Sequence, residues 1–124
     1  MASTLKATGF HDAVDYKVVT ALTIATGTDV QKNVTSGPGR LFSVRLDGTN
    51  AGADYWIKIF DGGNPSPGSS VPQLILKGKS LAISMYEIPY GYAFTELSFW
   101  VTSTSNQTST GSLTGTADVE LVCN

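Results

Sequence analysis

Histidine and cysteine are nearly absent from this chain: its 124 residues include one of each, His11 and Cys123. A lone cysteine excludes an intrachain disulfide, and one cysteine with one histidine cannot supply the ligand set of a zinc or iron site. Catalysis near neutral pH draws on a titrating group, a nucleophile beside a base, or a metal. His11 lies in the least patterned stretch and Cys123 is next to last, so no Ser-His-Asp or Cys-His set has its partners in place. No catalytic residue, no metal and no cofactor is expected.

Charge is scarce too. Asp, Glu, Lys and Arg make up 15% of the chain, and the net charge is −2. Phosphate binding needs a clustered basic footprint, whereas here Lys and Arg are scattered singly, apart from Lys77 and Lys79 on one face of a predicted strand. Such a pair reads as a solvated or edge-protecting face, and nucleic acid is not expected as a partner. Long hydrophobic runs are missing as well. The start "MASTLKATGFHDAVDY" lacks the apolar core of a signal peptide, and no run approaches the roughly 20 residues needed to cross a bilayer. Synthesis and folding in a cytoplasm follow as the expectation, with no membrane partner, and the sequons at Asn33 and Asn106 read as chance matches in a Thr-rich chain.

What the chain does have is period-two alternation, from about residue 14 to the end, with no window that keeps a helical period. Val14, Tyr16 and Val18 lead into Thr20, Leu22 and Ile24 on one predicted face, and Phe42, Val44 and Leu46 oppose Leu41, Ser43 and Arg45. Tyr55, Ile57 and Ile59 oppose Trp56, Lys58 and Phe60, a strand apolar on most of both faces, as in a sheet interior or a subunit interface. "QLILKGKSLAISMYEIP" reads as two strands or one bent strand broken at Gly78, and Ala117, Val119, Leu121 and Cys123 form the inner face of a last strand. The breaks "TSGPGR", "DGTNAGAD", "DGGNPSPGSS", "IPYGY" and "TSNQTSTGSLTG" carry turn chemistry. Regular strands joined by such turns predict an all-β, antiparallel β-sandwich, jelly-roll-like, of about eight strands. Residues 1–13 show no period and are expected as an extended N-terminal arm or a frayed terminus, ahead of a sandwich domain at 14–124.

Carboxylates at strand ends, Asp54 with Asp61 and Glu87 with Glu96, have the residue types of an acid/base pair, but turn formation is the commoner use of such positions. "DGTN" and "DGGN" offer too few oxygen ligands in a fixed order for calcium. Aromatic residues leave two readings open. Trp56 and Trp100 fall opposite the main apolar set of their strands and could stack on sugar rings, or they bury against a second sheet or another subunit, which is the favoured use.

The segments "GPGRLFSVRLDGTNAGADYWIKIFDGG", "SPGSSVPQLILKGKS", "IPYGYAFTELSFWVTSTS" and "TGTADVELV" together resemble a group of small tailed-phage virion proteins, single β-sandwiches that coat or cement capsids or sit on the tail. The pattern spans residues 37–124; the group usually carries a more regular Gly-rich turn before the proline segment and a small residue where Glu96 sits. The resemblance implies a non-enzymatic capsid cement or decoration protein on the virion surface. Its partners would be itself, as a homotrimer, and the major capsid protein lattice, with Trp56, Trp100, Tyr92 and Phe10 as interface anchors. The alternative is a carbohydrate- or receptor-binding module of a phage tail.

Overall fold

A computed structural model describes residues 2–10 and 14–124, with side chains from Tyr16 onward. The strands are β1 (Ala2–Phe10), β2 (Val14–Ile24), β3 (Gly39–Asp47), β4 (Tyr55–Asp61), β5 (Leu74–Gly78), β6 (Ile83–Phe94), β7 (Leu97–Thr102) and β8 (Ala117–Cys123). They form two antiparallel sheets, one in the order β1-β2-β8-β3-β6 and one in the order β5-β4-β7. The all-β class and the antiparallel two-sheet arrangement are those the alternation predicts.

The core lies between the sheets. β8 contributes Ala117, Val119, Leu121 and Cys123, and β4 contributes Tyr55, Ile57 and Ile59, the residues that the period-two pattern sends inward. Leu41, Val44 and Leu46 of β3 and Leu97, Phe99 and Val101 of β7 complete it with Val19, Ala21 and Ile24 of β2. β5 ends at Gly78, where no larger residue fits, because a Cβ there would stand 2.1 Å from the Tyr55 ring. From that point the chain crosses to the other sheet through a turn in which Leu81 has φ 58°.

Two expectations about side-chain facing need correction, and both fail at bulges. In β2 the buried set is Val19, Ala21 and Ile24, while Leu22 is 47% exposed and Val18 and Thr20 are half-buried. The register shifts between Ala21 and Ile24, where Thr23 has φ 60°, so Ile24 rejoins the inner face out of step. In β3 Leu41 is buried and Phe42 is not, because the register shifts again between Leu41 and Ser43. "IPYGY", expected as a break, lies inside β6.

Residues 2–10, expected as an arm, form β1 and pair along their whole length with β2 of the same chain, from Ala2 opposite Leu22 to Phe10 opposite Val14. β1 is thereby an edge strand of the larger sheet. His11 lies outside the described residues, as do the side chains of β1.

Candidate functional site

The most distinctive surface feature is built where β3 and β6 lose register. Leu41 pairs with Tyr92 and Ser43 with Glu87, so Phe42 alone on β3 faces Ile88, Pro89, Tyr90 and Gly91 on β6. The surplus residues are pushed out as a bulge. Pro89 has no N–H to give the ladder and so suits such a position. Gly91 has φ 79°, and a Cβ there would meet Arg40 at 2.7 Å and Phe42 at 2.9 Å. Only glycine fits.

Tyr90 sits at the tip with φ 67°, a left-handed conformation uncommon for a bulky residue, and its side chain is 92% exposed. The bulge is tied down from below: Arg40 Nη1 donates to the Tyr90 carbonyl oxygen at 3.1 Å. Phe42 is held in turn by an edge-on contact with Tyr16, ring centroids 6.1 Å apart. Phe42, Ser43, Glu87, Ile88, Pro89 and Tyr90 line a groove of about 470 Å³. Among the described residues Glu87 has no ion-pair or hydrogen-bond partner.

A second feature is the outer surface of β6 toward its other end. Ile83, Met85 and Glu87 are exposed there, opposite Asp47, Arg45 and Ser43 of β3. In the next column Arg45 faces Glu120 of β8. β6 pairs with β3 on one side, and on the other it lies at the edge of its sheet, touching β5 where the Tyr86 hydroxyl donates to the Lys77 carbonyl at 2.6 Å.

The residues singled out from the sequence are not gathered into one site. Trp100 is 0% exposed, so it is not an available anchor or sugar platform; its own chain covers it, with Phe60 6.3 Å away. Trp56 is half-buried, with Lys77 Nζ 5.8 Å over its ring, and Lys77 is ion-paired to Asp54 at 3.2 Å. Tyr92 is half-buried against the core, and burial, then the nearby Asp61, raises its hydroxyl pKa. The Phe10 side chain lies outside the described residues.

Asp54 and Asp61 stand at opposite ends of β4 and are each occupied locally. The Ser80 N–H, then Lys77, holds the Asp54 pKa below its usual value. Partial desolvation works against the ionised Asp61, but N–H groups of Thr95 and Glu96 and the Thr95 hydroxyl outweigh it, and its pKa is lowered. Asp47, in the "DGTN" turn, accepts from Thr49 N and Oγ1 at 3.0 and 2.8 Å, again a turn-forming role. Among the described residues no three His, Cys, Asp or Glu side chains come together as a metal site. Cys123 is buried, and burial pushes its thiol pKa up to about 12, which leaves it protonated and unreactive at neutral pH.

From the sequence Tyr90 is one of three tyrosines, with Tyr86 and Tyr92, clustered around a proline turn, and burial or an interface is the favoured use of such aromatics. The available signal was Pro-Tyr-Gly, a bulky ring fixed between a residue that cannot pair and one that tolerates positive φ. Compared with family models, curated proteins and solved structures, the chain matches none.

Proposed function

We propose that this protein is a non-enzymatic structural protein of a phage virion, a capsid cement or decoration protein that acts as a homo-oligomer on the assembled shell. The phage assignment rests on the sequence pattern of residues 37–124. The strand order supports a jelly-roll reading, an architecture common in capsid and lectin domains. If the Gln31 bridge to Phe99 is counted as a rudimentary strand beside β7, four strands of the smaller sheet underlie β2, β8, β3 and β6, and β1 is an addition at the edge.

The observation that carries the association reading is the apolar surface of β6. Ile83 and Met85 are 48% and 58% exposed on an edge strand, with Leu81, 74% exposed, in the adjoining turn. Apolar side chains on a free sheet edge invite another chain to pair or pack there. Natural monomers usually guard such edges with charge, proline or a bulge; in β6 Pro89 and the bulge protect the Ile88–Gly91 end, and the end with Ile83 and Met85 has Glu87 as its one charge. We therefore assign the contact to β6 in place of Trp100.

The test is the mass of the purified chain in solution and its retention on expanded capsids, with and without the double substitution Ile83→Lys, Met85→Lys. A multimer that the double variant reduces to a monomer, with capsid binding lost, supports the reading. A wild-type chain that stays monomeric at high concentration and ignores capsids removes it.

A further inference from the structure

The groove under the β6 bulge is a place where aromatic surface, hydroxyl and carboxylate converge, and nothing in an assembly role requires it. We propose that it binds a pyranose residue of a glycan, with the Tyr90 ring as the stacking platform and Glu87 and Ser43 as hydrogen-bonding groups.

Three observations carry this. The first is the backbone. A tyrosine held in the left-handed region costs folding energy, and such outliers persist where the surroundings impose them and often where a function uses them. Here the surroundings are specific: Pro89 before, the tightly seated Gly91 after, and the Arg40 guanidinium on the Tyr90 carbonyl. The outcome is a ring held out into solvent on a fixed stretch of backbone, so that only its own side-chain rotation remains to be lost when something stacks on it.

The second is size. At about 470 Å³ the groove falls in the range of small-molecule sites, where one or two sugar rings fit and an extended protein interface does not.

The third is charge. Glu87 is the one charged residue lining the groove and disfavours a phosphate, while Arg40, on the Tyr90 carbonyl beyond that lining, puts a positive charge on the same bulge that weakens the pull on an ammonium ion. A neutral ligand that has an apolar face and a rim of hydroxyls matches what is there. The C–H face of a pyranose lies on Tyr90 with Phe42, Ile88 and Pro89 at its border, and its hydroxyls donate to the Glu87 carboxylate and exchange hydrogen bonds with Ser43.

This assignment does not rest on the β6 assembly surface: Glu87 borders both, but Ile83 and Met85 do not line the groove. The experiment uses the full chain on a panel of immobilised oligosaccharides containing hexoses and N-acetylhexosamines in both anomeric linkages, followed by NMR titration with the best ligand. Expected are amide shifts at Ser43, Glu87, Tyr90 and Gly91, a loss of roughly tenfold or more in affinity for Tyr90→Gly, and a smaller loss for Glu87→Gln. Trp56→Ala should bind as the wild type does. Because glycine relieves the left-handed conformation, Tyr90→Gly should melt no lower than wild type, which separates lost binding from lost folding. Binding to no member of the panel overturns the proposal. So does binding that survives Tyr90→Gly, or that is lost in Trp56→Ala instead. Either negative leaves the oligomer and capsid tests untouched.

Discussion

On the outer face of the three-stranded sheet, Lys58, Ser98, Trp100 and Thr102 are buried; on the outer face of the five-stranded sheet, Leu22, Ile83 and Met85 lie open. The difference comes from loops. The segment after β7 folds back over the smaller sheet, and Lys58 fastens it from beneath, its ammonium donating to the Asn106 carbonyl, to the Ser109 carbonyl at 3.2 Å and to the Ser109 hydroxyl at 3.0 Å. Ser103 N–H closes the same loop on Gly111 at 3.0 Å, and Ser98 Oγ ties the next rung to Gly62 at 2.6 Å. A charged side chain is tolerated there because each of its protons has an acceptor. No comparable loop crosses the β3 and β6 columns among the described residues, where Arg45 and Glu120 make a polar rung beside Met85. One sheet face is covered by the chain's own loop, and the other lies open to solvent.

The sharpest way to break that contrast is to release the fastened loop. Lys58→Ala removes a buried side chain together with three charge-assisted hydrogen bonds to the part-exposed loop, and we expect a loss of about 2–4 kcal/mol with rapid proteolysis within residues 103–112. Urea unfolding measures the first and limited digestion the second. Unchanged stability would mean that Lys58 is not what holds the cover down. Gly78→Ala attacks the inner side of the same sheet: its Cβ would collide with the Tyr55 ring at the turn into β6, and a loss of about 1–3 kcal/mol is expected by the same measurement.

A smaller effect sits deeper. The Tyr55 hydroxyl is buried without a hydrogen-bond partner, so Tyr55→Phe removes a desolvated group at almost constant shape and should raise stability by roughly 1 kcal/mol at neutral pH. The same group shapes the alkaline limb. Burial, then the negative charges of Asp47 and Asp118, lifts Tyr55 from 10.0 to about 12, and burial lifts Cys123 from 9.0 to about 12. Both folded values lie above the unfolded ones, so the unfolded chain releases these protons first. Stability present below pH 9 therefore drains as pH rises from about 9 to about 12. Lys58 acts in the opposite sense. Desolvation lowers its pKa below the ordinary 10.5, so its contribution grows as pH climbs toward that value and offsets part of the loss. Denaturation midpoints between pH 8 and pH 12 should fall in wild type and fall less in Tyr55→Phe. Equal slopes would show that the phenol is not the group involved.

How much of this was readable beforehand depends on whether the alternation was interrupted. β8 and β4 run without a bulge, and Val119, Leu121, Ile57 and Ile59 face where period two puts them. β2 and β3 each hold adjacent apolar residues, Val18 with Val19 and Leu41 with Phe42, so either phase satisfies the pattern and only the bulge decides. The burial of Lys58 was hidden for a different reason, and for Trp100 burial was the favoured reading but the cover was assigned to a second sheet or another subunit. The cover over Lys58 is a polar Ser/Thr/Asn loop that has no period, and the side of a sheet on which such a loop lies is set by tertiary contacts. The exposure of Tyr90 was not legible because a bulge inside a strand and a turn between strands share the same Pro and Gly.

The smallest expected change in folding stability comes from the open face. Ile83 and Met85 already meet solvent, so Ile83→Lys with Met85→Lys should leave the urea midpoint within about 0.5 kcal/mol of wild type. Charge on an edge strand is also how sheets are kept from pairing, so the same double variant should sediment as a monomer where wild type associates. The contrast between the two faces then takes its clearest form: a buried lysine whose removal unfolds a loop, against two added lysines that the fold ignores and that only the proposed association would register. If the double variant instead loses several kcal/mol, Ile83 and Met85 belong to the core of the single chain, and the outer face of the larger sheet is no freer than that of the smaller one.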